Sequence, residues 1–133
     1  MMQVDLPRNA ARYEVPLDFH ADAPFNSLAL MRGAVVAEQD GRLLDYTDAM
    51  FRAMWAEARD LADPGEVGAA LTAAGFDAAA YAARIQEPAV KQELIARTEA
   101  AADRGVFGSP TFFVGEEMFF GQDRFEQVLA AAD

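Results

Sequence analysis

Strand-like patterning in this chain is confined to its last quarter. Thr111-Phe112-Phe113-Val114 is β-branched and aromatic, as strands prefer, and Glu117-Met118-Phe119-Phe120 returns after the tight-turn pair Gly115-Glu116. Everything before reads as helix. A lone two-stranded hairpin is marginal in water and leaves unpaired backbone groups on both edges. The phenylalanines within it call for burial. The expectation is therefore a mostly α protein with a small antiparallel β part that something else must cover.

The helical part is punctuated by clear stops and starts. A short helix is expected over residues 5–13, then a connector over 15–24 whose two prolines disfavour helix. A helix over residues 25–39 would place Leu28, Met31, Val35 and Val36 on one face, ending at Asp40-Gly41. The next, over residues 46–59, carries Tyr46, Met50, Met54 and Ala58 in one row and Phe51 and Trp55 in the adjacent one. These could line an apolar cleft, although at this spacing core is the usual role.

Asp63-Pro64-Gly65-Glu66 is a strong helix start, with Gly75 as its stop. Asp77 caps again, and Phe76 before it can staple onto Tyr81. Pro88 opens a longer helix with Val90, Leu94, Ile95, Thr98 and Ala101 inward, closed by Arg104-Gly105. Phe125, Val128 and Leu129 mark a final amphipathic helix.

Composition excludes several chemistries. The 133 residues carry 22 acids against 11 bases, a net charge of −11, which repels nucleic acid and anionic membrane surfaces. Cysteine is absent, so disulfides, thiolate catalysis and Cys-ligated metals are excluded in this sequence. The start shows no signal peptide and no membrane span, giving a cytoplasmic expectation. His20 is the single histidine. Asp18, His20 and Asp22 alternate around it, but nothing nearby completes a metal site, so no metal is expected.

Two short segments can hold a ligand. In Gly108-Ser109-Pro110, a cis proline would leave the N–H and C=O of Ser109 free to pair with an extended peptide-like ligand. The alternative is a plain turn, trans being the commoner state of an X-Pro bond. In Phe120-Gly121-Gln122-Asp123-Arg124-Phe125, the two phenylalanines have the spacing of a hydrophobic staple around an N-cap at Gly121. Gln122 and Asp123 would then present unpaired N–H groups to a carboxylate, with the Asp123 carboxylate available to an ammonium. The alternative is an ordinary acidic first turn favoured by the helix dipole.

Together the two segments, Gly105-Val106-Phe107-Gly108-Ser109-Pro110-Thr111-Phe112 and Phe120-Gly121-Gln122-Asp123-Arg124, resemble the C-terminal motifs of 2-hydroxychromene-2-carboxylate isomerases. These are relatives of class kappa glutathione transferases in the DsbA-like thioredoxin superfamily. Pro24-Phe25-Asn26-Ser27-Leu28 with Arg32, and Phe51-Arg52-Ala53-Met54-Trp55 with Asp63-Pro64, are similar to the family's helical insert. Arg8-Asn9-Ala10 resembles the segment just before it.

The resemblance implies a lead-in over residues 1–24, a helical insert domain over 25–104 and the C-terminal ββα half of a thioredoxin-like fold over 105–133. It implies glutathione as cofactor, with Ser109 giving backbone bonds to the tripeptide, Pro110 as the cis residue, and Gln122 and Asp123 holding the γ-glutamyl end. The family often has Trp where this chain has Phe120. The family's N-terminal βαβ unit, with the Ser or Cys that meets the sulfur, has no counterpart in this sequence, so the catalytic nucleophile is unassigned.

The function implied is glutathione-dependent isomerisation of a small aromatic acid, with weak or no turnover if the chain is only this long. Two alternatives stay open. One is a fragment of a DsbA-like thiol-disulfide oxidoreductase; the other is a non-catalytic glutathione-binding remnant that dimerises. A homodimer is expected, because pairing of two copies would cover the hairpin.

Overall fold

The computed structural model describes residues 2–18 and 26–132. The chain divides into two compact units, Met1–Leu94 and Ile95–Asp133. Seven α-helices occur among the described residues: α1 (Met2–Arg12), α2 (Leu28–Gln39), α3 (Leu43–Trp55), α4 (Pro64–Ala73), α5 (Ala78–Arg84), α6 (Pro88–Asp103) and α7 (Phe125–Ala132). The strands are β1 (Thr111–Val114) and β2 (Glu117–Phe120). His20, Asp22 and the expected helix start at Phe25 lie outside the described residues.

The first unit is built on capped helices. The Asp63 carboxylate accepts from the Gly65 N–H at 2.7 Å with Pro64 opening α4, and Asp77 accepts from the Ala80 N–H at 2.9 Å at the head of α5. At the end of α4, the Gly75 N–H reaches the Thr72 carbonyl and the Phe76 N–H reaches that of Leu71, the paired bonds of a Schellman stop. That stop throws Phe76 back into the body, where its ring meets Tyr81 edge-on at 5.3 Å and Tyr46 at 6.1 Å. The expected staple between Phe76 and Tyr81 is present.

These rings sit in a closed core with Val35, Val36 and Ala37 of α2, Met50 and Ala53 of α3, Leu61 before α4, Ala70 and Leu71 of α4, and Val90 of α6. The Tyr46 hydroxyl donates to the Leu30 carbonyl at 2.8 Å, and burial, with Tyr81 adding to it, pushes its phenol well above the ordinary range. Arg42 lies 3.8 Å over the Phe76 ring and donates to the carbonyls of Gly75 and Ala74. Arg84 clasps both oxygens of Asp40 at 2.7 Å, joining α5 to the end of α2.

Three sequence expectations change here. Val35 and Val36 face the core as expected, but Leu28 and Met31 are about half exposed, and Gly33 and Ala37 complete the buried face of α2. Small residues bring the two backbones close: a Cβ at Gly33 would collide with the hydroxyl and ring of Tyr46. In α3, which runs three residues earlier than the pattern suggested, Ala53 faces the core and Phe51 is 62% exposed. The chain leaves α3 through Ala58 at φ 51°, with the Arg59 N–H bonded to the Ala53 carbonyl. The outer half of α6 also differs, since Ile95 and Thr98 are exposed.

The second unit begins within α6, at Ile95. The Gly105 N–H reaches the Ala102 carbonyl and the Val106 N–H that of Ala101, with Gly105 at φ 90°. β1 and β2 pair antiparallel in the register Thr111↔Phe120, Phe112↔Phe119, Phe113↔Met118 and Val114↔Glu117. Gly115 turns the hairpin at φ 58°, the first-position glycine of a two-residue turn. Alternation divides the side chains between two faces. Phe112 meets Phe125 of α7 edge-on at 5.9 Å on one face, while Arg104 lies 3.5 Å over Phe113 on the other.

No helix of the described residues is long and apolar enough to cross a membrane. Among the described residues, no group of three or more His, Asp or Glu is placed to hold a metal ion.

Candidate functional site

The Ser109–Pro110 peptide bond is cis, so of the two states open to this sequence the structure adopts the one that suits a ligand-binding turn. Ser109 is exposed and Pro110 half-buried at the mouth of β1. The Thr111 hydroxyl donates to the Gly108 carbonyl at 2.7 Å and braces the turn from the strand side. Gly108 itself is required by close packing. A Cβ there would stand 2.6 Å from the edge of the Phe120 ring, and that ring continues onto Phe107 at 4.6 Å between centroids.

The second segment is tied directly to the first. The Gly121 N–H donates to the Pro110 carbonyl at 3.0 Å. Gly121 is buried at φ 107° and ψ 148°, a region open essentially to glycine alone. From this glycine the chain makes one 3-10 turn over Gln122–Arg124, closed by the Arg124 N–H on the Gly121 carbonyl at 3.2 Å, before α7 begins at Phe125. Gln122 and Asp123 are exposed, and their backbone N–H groups find no acceptor among the described residues. The Asp123 carboxylate folds back toward Gly121: a Cβ on that glycine would stand 2.5 Å from Asp123 Oδ1.

All four residues singled out from sequence thus belong to one neighbourhood, joined through the Gly121–Pro110 hydrogen bond. The donor set is chemically specific. It offers the exposed backbone of Ser109 to an extended peptide, two free N–H groups to a carboxylate, and one carboxylate to an ammonium. An α-amino-acid end meets the last two requirements together, so the residues present fit the γ-glutamyl end of glutathione.

Part of the local architecture was not anticipated. Phe120 and Phe125 do not staple across Gly121. The 3-10 turn and the strand alternation send them apart, Phe120 onto Phe107 and Gly108 and Phe125 onto Phe112. The stack of Phe107 and Phe120 beside Ser109–Pro110, with Arg104 over Phe113 on the same face, was likewise absent from the sequence reading. Its one signal was Gly108, a glycine directly before a Ser-Pro pair with an aromatic residue on its other side.

Comparison with known proteins identifies the family and the fold. The profile of the DSBA-like thioredoxin domain matches residues 1–133, and the chain belongs to that family. It is 36% identical over 126 residues to 2-hydroxychromene-2-carboxylate isomerase from Pseudomonas sp. (strain C18), covering 92% of this chain and 57% of that protein. With the enzyme of the same name from Sphingobium xenophagum the identity is 35% over 130 residues, covering 95% of this chain and 64% of that protein. A solved structure of 2-hydroxychromene-2-carboxylate isomerase superposes with a TM-score of 0.84 at 31% identity, covering 98% of this chain and 63% of that one. The helical body and small sheet therefore belong to a DsbA-like thioredoxin fold. The chain spans about three fifths of the length of the curated relatives it matches.

Proposed function

We propose that this chain provides the helical body and the γ-glutamyl-binding corner of a glutathione-dependent isomerase acting on small aromatic acids of the 2-hydroxychromene-2-carboxylate type. The Gly121–Pro110 hydrogen bond carries this reading, because it joins the Ser109 backbone to the Gln122–Asp123 turn. The similarity to proteins named for that isomerisation supports it.

The N–H and C=O of Ser109 pair with the cysteinyl backbone of the tripeptide, in the manner of an added strand. The N–H groups of Gln122 and Asp123 receive the α-carboxylate, and the Asp123 carboxylate receives the α-ammonium. When bound, glutathione supplies a thiol that can add reversibly to a conjugated substrate and so permit bond rotation. The residues of this chain fix where that thiol sits; they do not carry the proton or the bond exchange.

Calorimetric titration with glutathione tests the reading. Saturable binding is expected, weakened about tenfold or more in Asp123→Asn, in line with the loss of a hydrogen bond to a charged group. The glutathione analogue lacking the α-amino group should bind wild type and Asp123→Asn equally weakly. Equal glutathione affinity in wild type and Asp123→Asn would refute the assignment.

A second reading accompanies the first. Phe107, Phe125 and Leu129 are 72%, 53% and 53% exposed, and pairing of two copies over the hairpin would cover them. Sedimentation should then show a dimer. A monodisperse monomer at micromolar concentration would remove this reading and leave the glutathione corner untouched.

A further inference from the structure

We infer that the helical unit contains a second small-molecule site, a cavity between α2, α4 and α5 that takes a neutral aromatic compound of one or two rings. The inference stands apart from the glutathione reading, because every described residue lining the cavity lies between Asn26 and Gln86. Its volume is about 280 Å³, and Gly33, Gly68, Leu71, Ala78, Tyr81 and Ile85 are among its walls. An apolar cavity of about 150 Å³ accommodates benzene, so the space here suits two fused rings.

The lining decides the ligand's charge. A quarter of this chain is Asp, Glu, Lys or Arg, yet among the described residues none of them lines the cavity. A carboxylate placed against these apolar walls would find no cation among the described residues to receive it. The site therefore selects uncharged molecules, unlike the corner at Asp123. The exposed amide of Gln86 at the wall can bond a phenolic hydroxyl without requiring one.

Gly68 independently points to the open space. It lies inside α4, where glycine is the least favourable residue after proline. Its backbone is ordinary, since it is not among the glycines with positive φ. Close packing does not demand it either: a Cβ there would meet only the Ala78 Cβ, at 3.9 Å. Gly33 is different, because it is held to glycine by the ring of Tyr46. The account that remains for Gly68 is that a larger side chain would occupy the cavity.

Titrations of the full chain followed by amide chemical shifts test this, with naphthalene, 2-naphthol and 2-naphthoate as probes. Naphthalene and 2-naphthol should bind saturably and shift amides in α2, α4 and α5. 2-Naphthoate should bind at least tenfold more weakly. Gly68→Leu should weaken naphthalene at least tenfold without lowering the melting temperature. Ala82→Leu, which fills the cavity from an exposed position on α5, should do the same and decides the matter if Gly68→Leu does not fold. Glutathione affinity should be unchanged in both variants, so failure here is separable from failure of the proposed function. No saturable binding of naphthalene, equal affinity for 2-naphthoate, or undiminished binding in a folded filled variant would each overturn the inference.

Discussion

The two units of this chain use the same apolar residue types to opposite ends. In the helical unit Tyr46, Phe76 and Tyr81 are each no more than 6% exposed and interlock with aliphatic neighbours from four helices. In the hairpin unit Phe107 is 72% exposed, Phe125 53% and Phe120 43%. The difference shows where folding free energy resides. The first unit is held by a closed, densely packed core; the second is held by turns, strand register and tilted and edge-on ring contacts, and its aromatic surface is left to other contacts.

Aromatic truncation breaks or sharpens that contrast most strongly. Phe76→Ala should cost about 3–5 kcal/mol in urea unfolding of the helical unit, as large-to-small changes in closed cores do. Phe107→Ala should cost less than about 1 kcal/mol by the same measurement, since most of its ring is already in water. Similar losses for both would erase the distinction between the units.

Glycine substitutions probe the same contrast at backbone level. Gly33→Ala forces a methyl against the buried Tyr46 and should cost about 1–3 kcal/mol of stability with no effect on glutathione binding. Gly121→Ala should cost a similar amount through backbone strain at φ 107°. It should also abolish glutathione binding, because the turn that presents the Gln122 and Asp123 N–H groups starts there. Calorimetry with glutathione separates the two variants.

The smallest effect concerns the Asp40–Arg84 pair. The guanidinium beside Asp40 holds its carboxyl below the usual carboxylate range, and the partner's charge is reinforced in turn. A depressed carboxylate contributes stability that is complete above its unfolded pKa of about 4 and is lost as pH falls through its lower folded value. Asp40→Asn should therefore lower the melting temperature only slightly at neutral pH, the pair being open to solvent. Wild type and variant should converge as pH falls through that lower folded value. A gap that widened on acidification would contradict this sign.

Local signals were the most legible in the sequence. The caps at Asp63 and Asp77, the stop at Gly105, the turn at Gly115 and the staple of Phe76 on Tyr81 all involve residues within a few positions of each other, and each is where the pattern put it. The face of α2 was legible only in part: Val35 and Val36 are buried, but the rest of the contact runs through Gly33 and Ala37, which a count of large apolar residues ignores. Phe51 fails for the complementary reason: its size suggested core, but Ala53 takes the buried place. At the candidate site, Ser109, Pro110, Gln122 and Asp123 were all picked out. The hydrogen bond that unites them spans eleven residues of hairpin, from Pro110 to Gly121, and depends on register that periodicity alone does not fix.

The central claim is that the cis-proline turn and the turn after Gly121 form one glutathione-binding corner. Amide chemical shifts of the 133-residue chain during a glutathione titration test it most directly. The account predicts saturable shifts centred on Ser109, Gly121, Gln122 and Asp123, abolished in Gly121→Ala. Shifts confined to the helical unit, or none at millimolar glutathione, would contradict it.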